Sequence, residues 1–193
     1  MDWTFDLCGD HLALDFANTV SARHGDTPIE RLPSYPELVS FARQTELINA
    51  ARAKTLLARA RRHQAKAEAV LAQARSLREA LYRLFAAIAR GQTPAAADVA
   101  ALDHELPRLH LGVDLALTWR RDASALDDFL GAIVQAALAL ATDEDQRARV
   151  RICEAPDCVW LFHDSSRNRS RRWCDMRQCG NRMKARRHHA RHR

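Results

Sequence analysis

Hydrophobic positions recur at helical spacing through much of the first 146 residues. Residues 46–91 are rich in Ala, Leu, Arg and Gln and contain no proline, and their apolar side chains follow one another three or four positions apart. We therefore predict two or three helices there, the last ending at Gly91. Ser34 and Glu37 have the spacing of a capping box, which predicts a helix from there to about Arg43.

Three further helical segments are indicated nearer the middle of the chain. Thr93 and Pro94 are typical of a helix start, and this helix should run to about Glu105. Residues 126–140 form the most apolar helical pattern, and residues 142–145 predict one more turn after it.

Elsewhere the chain alternates between apolar and other side chains, as strands do. Residues 11–20 begin with alternating large apolar side chains and predict a short strand: Leu12, Leu14 and Phe16. Residues 25–33 read as a loop. Residues 109–119 alternate around Gly112-Val-Asp114, which predicts a small hairpin. The whole pattern predicts an α+β fold that is mainly helical with a small sheet.

Charge and cysteine are concentrated at one end of the chain. Residues 147–193 hold 14 Arg and Lys against four Asp and Glu, a net charge of +10. Because the whole chain carries +6, residues 1–146 carry −4. Four of the five cysteines also lie in the basic block. We therefore predict two domains, residues 1–146 and residues 147–193, the second of them binding an anionic partner.

Several classes of protein are not expected. The N-terminus is acidic and lacks the basic and apolar segments of a signal peptide. The longest apolar stretch, residues 130–141, is too short to span a bilayer. We therefore expect a cytoplasmic protein without a membrane partner. Residues 1–146 show neither a glycine-rich phosphate loop nor a nucleophile–base spacing, so we do not expect an enzyme.

The cysteines of the basic block have the spacing of zinc ligands. Cys153 and Cys158 are separated by four residues, as are Cys174 and Cys179, with 15 residues between the two pairs. Each pair can form one corner of a tetrahedral site, and a cytosolic chain favours metal over disulfides. Four thiolates close the coordination shell. We therefore predict one structural zinc ion per chain.

The residues around the cysteines indicate the shape of the zinc module. Pro156 and Asp157 suit a tight knuckle, residues 159–162 read as a strand, and a helix should run from about Arg177 to the end. This order is typical of a zinc-ribbon or treble-clef-like unit. Two alternatives remain, namely four buried thiols without metal, or replacement of one cysteine ligand by a histidine from the tail: His188, His189 or His192. Cys8 is left over and is expected to be a small buried side chain.

The basic block also predicts a nucleic-acid surface. Arginine makes bidentate contacts with phosphate and with guanine. The candidate residues are Arg167, Arg169, Arg171, Arg172, Arg182, Lys184, Arg186 and Arg187. Arg182 lies closest to the zinc-anchored start of the helix and is the candidate for reading a base. Double-stranded DNA is the expected partner, and RNA is the alternative, because phosphate contacts alone do not separate them.

These motifs resemble a known family. Cys179-Gly-Asn-Arg182 spells the CGNR motif, and residues 166–174 are similar to the segment preceding it in CGNR zinc fingers. Residues 12–19 (LALDFANT) and the Ala/Arg-rich helices resemble the ABATE domain usually joined to that finger. The resemblance implies a bacterial, stress-linked transcription regulator that binds DNA through its zinc-bound C-terminus, with the four cysteines as ligands. One departure is Val159, where the resemblance leads us to expect glycine.

The N-terminal domain offers one distinctive polar cluster, formed by Asp15, Asn18 and Thr19. These side chains could satisfy the backbone of a buried loop or line an effector pocket. By analogy, a domain joined to a DNA reader is expected to sense a ligand or to form a homodimer. A different class of function also stays open, in which residues 1–146 bind a small molecule or act as an enzyme and the finger contacts protein.

Overall fold

The computed structural model describes residues 4–23, 25–105, 109–111, 117–119 and 125–191. The helices are α1 (Leu12–Ala17), α2 (Tyr35–Gln44), α3 (Ala50–Arg62), α4 (Gln64–Ala89), α5 (Ala96–Asp103), α6 (Leu130–Thr142), α7 (Glu144–Arg147) and α8 (Asn181–Arg191). The strands are β1 (Val20–Ser21), β2 (Ile29–Glu30), β3 (Leu109–Leu111), β4 (Leu117–Trp119), β5 (Val150–Ile152) and β6 (Leu161–His163). They pair antiparallel as β1–β2, β3–β4 and β5–β6. The predicted α+β, mainly helical fold is confirmed.

The helical pattern predicted most of the helices. α3 and α4 fill the segment expected to be helical, and Gly91 follows α4 with φ +67°, a left-handed conformation that glycine adopts without strain. α2 begins directly after Ser34 as predicted. Its cap differs from a capping box, because the Ser34 hydroxyl donates to the Glu37 carboxylate and accepts no hydrogen bond from a backbone N–H.

The predicted strand at residues 11–20 is wrong over most of its length, because Leu12–Ala17 is the helix α1. The alternating large side chains are interleaved with Ala13 and Ala17, which are apolar and fully buried. Asp15, the one polar side chain of the helix, is buried as well, so the segment has no exposed polar face of the kind that a surface strand shows. His11 supports the helix, since its Nδ1 accepts a hydrogen bond from the backbone N–H of Ala13.

Other helices and strands also differ from their predicted boundaries. The predicted loop at residues 25–33 contains β2, and α5 starts at Ala96, after Thr93 and Pro94, without a side-chain cap. The hairpin at residues 109–119 is confirmed by the pairing of Leu109 with Trp119, although its predicted turn lies outside the described residues. The extra turn after α6 is α7, capped by the Asp143 carboxylate. None of the described helices has both the length and the apolar composition needed to cross a membrane.

The hydrophobic core forms around α4, which is about 39 Å long. α1, α2 and α6 pack on it, and the largest side chains they bury together include Phe16, Phe41 and Phe85. The Phe16 and Phe41 rings are 5.5 Å apart, in a tilted arrangement. This core fixes the positions of α1 and α4, and the zinc module lies against both helices.

The β5–β6 hairpin belongs to the predicted second domain by sequence, but its side chains enter the core of the first. Val150 and Leu161 are fully buried in that core. The side-chain amide of Asn18 makes two hydrogen bonds with the backbone of Leu161, at 2.7 and 2.9 Å. The indole of Trp160 donates to the carbonyl oxygen of Val20 at 2.9 Å. The first half of the finger is therefore attached to the helical body by both packing and hydrogen bonds.

Candidate metal centre and basic finger surface

Four cysteine side chains meet in one buried cluster. Cys153 follows β5, Cys158 ends the turn after it, Cys174 lies in the loop after β6, and Cys179 lies in the π-helical turn Met176–Gly180. Their Sγ atoms all lie within 4.8 Å of one another. The Cys158–Cys174 distance is 3.5 Å and the Cys174–Cys179 distance is 3.8 Å.

The geometry and chemistry of the cluster fit zinc. With zinc–sulfur bonds of about 2.3 Å, the sulfurs of a tetrahedral site lie about 3.8 Å apart, close to the distances found here. Four thiolates leave no open coordination position, as in structural zinc sites. The predicted ligand set is thereby brought together, and these cysteines hold one structural zinc ion.

The thiols depend on a cation for ionisation. The pKa of Cys153 is lowered because its sulfur accepts hydrogen bonds from Cys158 and Cys174, whereas the same contacts raise the pKa of Cys174. Four adjacent thiolates would repel one another without a positive charge among them. A divalent metal ion supplies that charge and allows all four sulfurs to be deprotonated.

The first knuckle closes through backbone hydrogen bonds. The Cys153 N–H donates to the Trp160 carbonyl at 2.8 Å, and the Cys158 N–H donates to the Ala155 carbonyl at 2.9 Å. Val159 then adopts φ +54°, a conformation that favours glycine. The departure noted in the sequence is therefore a valine held in the backbone conformation that glycine would adopt.

The second knuckle leads directly into α8. The Asp175 carboxylate accepts hydrogen bonds from the N–H groups of Arg177 and Gln178 and caps the turn. A Cβ at Gly180 would lie 2.5 Å from the Met176 sulfur, so a larger residue here would displace the flexible and exposed Met176 side chain. The predicted helix from about Arg177 is confirmed as this turn followed by α8. The zinc ligand Cys179 thus anchors the first turn of the basic helix.

The arginines predicted to bind nucleic acid have several different environments. Arg171 is a structural residue, because it bonds the backbone carbonyls of Cys8, Trp173 and Cys174 and the Asp10 carboxylate. Its guanidinium also lies 4.7 Å from the Phe162 ring centroid. Only 26% of this side chain is exposed, which limits its contact with any partner.

Other candidates are exposed but paired with acids. Arg169 contacts Asp145 at 2.6 Å, and Arg172 forms an ion pair with Glu154. Exposed ion pairs of this kind contribute little to stability. Their cations can therefore exchange an acidic partner for a phosphate at small cost.

Arg182 and Arg186 share one acidic partner in the first knuckle. Arg182 lies 3.3 Å from Asp157 and Arg186 lies 3.5 Å from it. Arg182 also donates to the Cys179 sulfur at 3.4 Å, and so it supports the metal centre as well as the surface. Asp157 was predicted only as a knuckle residue, and its spacing from α8 in sequence gives no signal of this pairing.

The remaining candidates are exposed cations. Arg167, Lys184 and Arg187 are all exposed, and the Arg187 guanidinium lies 5.9 Å from the Trp173 ring. Asp164, which sequence reasoning passed over, is fully buried and accepts hydrogen bonds from the N–H groups of Ser166 and Arg171. It therefore shapes the loop that displays Arg167 beside the finger.

α8 extends away from the metal centre with its side chains in water. Within its described side chains only Met183 packs against the cysteine cluster. Residues 181–191 contain five Arg and Lys and no acid. His188 and His189 are exposed and stand outside the four-thiol set, while His192 lies outside the described residues. An exposed helix with so little apolar surface gains little from packing and is suited to contact a charged partner.

The polar cluster of the N-terminal domain (Asp15, Asn18 and Thr19) is buried, and its side chains form hydrogen bonds with backbone groups. Asp15 accepts a hydrogen bond from the Gly9 N–H at 2.8 Å, and burial raises its pKa to about 7. Thr19 donates to the Phe16 carbonyl, and Asn18 bonds Leu161. These contacts tie loop backbone together and match the structural interpretation of the cluster. The effector pocket at these residues stays a prediction.

Comparison with known families gives two matches. Residues 10–144 match the ABATE model, described as "Putative stress-induced transcription regulator", and residues 149–192 match the CGNR zinc finger. The comparison with curated proteins finds no match. The first family model covers more than half of the 193 residues, and the two together follow the arrangement that the sequence motifs indicated.

Proposed function

The chain belongs to the ABATE family and carries a CGNR zinc finger at residues 149–192, and from this premise we propose that it regulates transcription by binding double-stranded DNA through α8. The observation that carries the proposal is an exposed helix with five cations and no acid, anchored at its start by a zinc ligand. α8 has 11 residues and is therefore about 16 Å long. The major groove is about 12 Å wide and admits such a helix.

Electrostatics supply most of the affinity in this proposal. When four thiolates and one zinc ion are counted, residues 147–193 retain a net charge of about +8. Release of counterions from DNA by these cations favours binding to any sequence. Arg182 remains the candidate for reading a base, although its bond to Cys179 means that its replacement also perturbs the metal centre.

Salt titration tests the proposal directly. Binding of a labelled DNA duplex to the zinc-loaded full chain is followed by fluorescence anisotropy across a series of salt concentrations. If ~5 phosphates are contacted, the logarithm of affinity should fall against the logarithm of salt with a slope of about −4.5. Arg187→Ala should make the slope shallower by about 1, and weaken binding to all duplexes alike.

A matched control separates the finger from general charge effects. Arg62 is exposed at the end of α3, and Arg62→Ala removes the same charge outside the finger. Its slope should equal that of the wild type. A DNA affinity that does not change with salt concentration would contradict the proposal. Tighter binding to a structured RNA of equal length would favour the RNA alternative instead.

One cavity favours a second, ligand-sensing role for the helical body. It has a volume of about 720 Å³, within the usual range of small-molecule sites. Its walls come from α4, α5 and α6, and Arg147 of α7 lies at its edge, three residues before β5. A thermal-shift screen of small molecules on the full chain tests this role. Ligand-induced stabilisation that Ala141→Trp abolishes would support it, and a screen without hits would count against it.

A further inference from the structure

Cys8 lies beside the metal centre although it is not one of the four ligands. It packs against the buried cysteine cluster that contains Cys174. Cys8 is half-buried, so solvent reaches it. The described part of the chain therefore brings five thiols together where a tetrahedral zinc site uses four.

A small cavity opens onto this fifth thiol. It has a volume of about 130 Å³, and Cys8, Cys158, Cys174 and Cys179 all line it. A water molecule occupies about 30 Å³ of liquid, so a molecule the size of hydrogen peroxide can enter. Charged side chains of both signs also line the cavity: Arg31, Arg182, Asp6, Asp157 and Asp175.

The two backbones that carry Cys8 and Cys174 are fastened side by side. One nitrogen of the Arg171 guanidinium donates to the carbonyl oxygens of both residues. The same guanidinium binds the Asp10 carboxylate and so fixes the segment that follows Cys8. The fifth thiol is thus held next to one ligand, and a disulfide requires this kind of closeness between two cysteines.

We propose that Cys8 is a peroxide-reactive site that forms a disulfide with Cys174 and thereby releases the zinc ion. Cys8 reacts first, because its sulfur does not share electrons with the metal. Its thiolate attacks one peroxide oxygen, the O–O bond breaks, and a sulfenic acid forms on Cys8 while the second oxygen leaves as water after taking up the thiol proton. These atoms balance with peroxide as the only oxidant.

Cys174 completes the reaction. Its sulfur attacks the Cys8 sulfur with the electron pair that it shared with zinc, the S–O bond breaks, and the departing hydroxide takes a proton from solvent. The two sulfurs have then given two electrons to the peroxide, which ends as two water molecules. Zinc keeps three ligands and is bound less tightly. Because the finger depends on metal for folding, the segment around Cys174 should unfold when zinc leaves.

Peroxide treatment of the zinc-loaded full chain tests this proposal. Zinc release is followed with a chromogenic chelator, and peptide mapping identifies the disulfide. The wild type should release its zinc as a Cys8–Cys174 disulfide forms, and a dithiol reductant with added zinc should restore the starting state. Cys8→Ser should bind one zinc ion as the wild type does, and release it about tenfold more slowly under peroxide.

The neighbouring substitution Leu7→Ser is the matched control, because Leu7 is exposed and carries no thiol. It should release zinc at the wild-type rate. Equal rates for Cys8→Ser and the wild type would overturn the proposal. So would disulfides found only among the four ligands. Neither readout depends on nucleic-acid binding, so the result stands apart from that of the salt titration.

Discussion

At position 159, glycine should give a more stable protein than alanine, the reverse of their usual order. Val159 has φ +54°, where the Cβ of an L-residue crowds its own backbone. This conformation costs a residue with a Cβ roughly 1–2 kcal/mol. The extra freedom of glycine in the unfolded chain costs about 0.5–1 kcal/mol. Val159→Gly should therefore be more stable than Val159→Ala by about 1 kcal/mol.

Comparing these two variants isolates the energetic effect of the backbone conformation at position 159. Both lose the half-buried valine side chain, and both keep the carbonyl oxygen that accepts the Tyr82 hydroxyl at 3.0 Å. The difference between them thus contains neither lost packing nor a lost hydrogen bond. Because the knuckle forms with metal bound, the difference should appear as zinc affinity about fivefold higher for the glycine variant.

Competition for zinc with a chelator of known affinity measures this difference. Lys54, exposed in the interior of α3, provides the control position. At this position the alanine variant should be the more stable one, with Lys54→Gly about 1 kcal/mol less stable than Lys54→Ala in thermal unfolding. If the alanine variant at position 159 binds zinc as tightly as the glycine variant, the knuckle does not impose a left-handed backbone and the reasoning fails.

Three further predictions concern the metal, the buried carboxyl and the finger surface. Cys174→Ser should lose most of its zinc by metal analysis and expose the C-terminal segment to protease, and full zinc occupancy would refute the ligand set. Because burial raises the pKa of Asp15 from 3.8 to about 7, its contribution to stability is present below pH 3.8 and lost as the pH rises through 7. Asp15→Asn should remove that pH dependence and stabilise the chain above pH 7 by ~2–4 kcal/mol in urea unfolding, and an unchanged pH profile would refute the assignment. Asp157→Asn should free Arg182 and Arg186, tighten DNA binding at low salt and steepen the salt slope by up to about 1, whereas weaker binding in anisotropy would contradict the pairing.

The sequence was most informative where one residue type has one dominant use. Paired cysteines bind metal in a segment with little other core, so their spacing favoured the four-cysteine ligand set over the alternatives with a histidine or without metal. Helices also followed from periodicity wherever one face is apolar and the other polar, as in α3. In α1 every position but Asp15 is apolar, and Asp15 is itself buried, so the spacing of apolar residues no longer distinguishes a helix from a strand.

Contacts between distant segments could not be predicted in the same way. Asn18 and Leu161 are 143 positions apart, and an asparagine side chain bonded to a backbone leaves no pattern at the second site. Arg171 resembles its neighbouring arginines in sequence, yet the structure uses it to join backbone segments. Its role depends on what folding brings near it. The basic surface could therefore be located from composition, whereas the tasks of its individual arginines could not.

The unequal anchoring of the two halves of the finger determines how the chain responds to metal supply. β5 and β6 contact the helical body through Leu161 and Trp160 in addition to their link to the cysteine cluster. The turn carrying Cys179 and the helix after it are joined to the rest through the cysteine cluster and surface ion pairs to Asp157. When zinc is scarce, we expect the helical body to stay folded while the arginine-rich segment after Cys174 loses its order. Zinc availability thus sets the fraction of molecules that present an ordered basic helix.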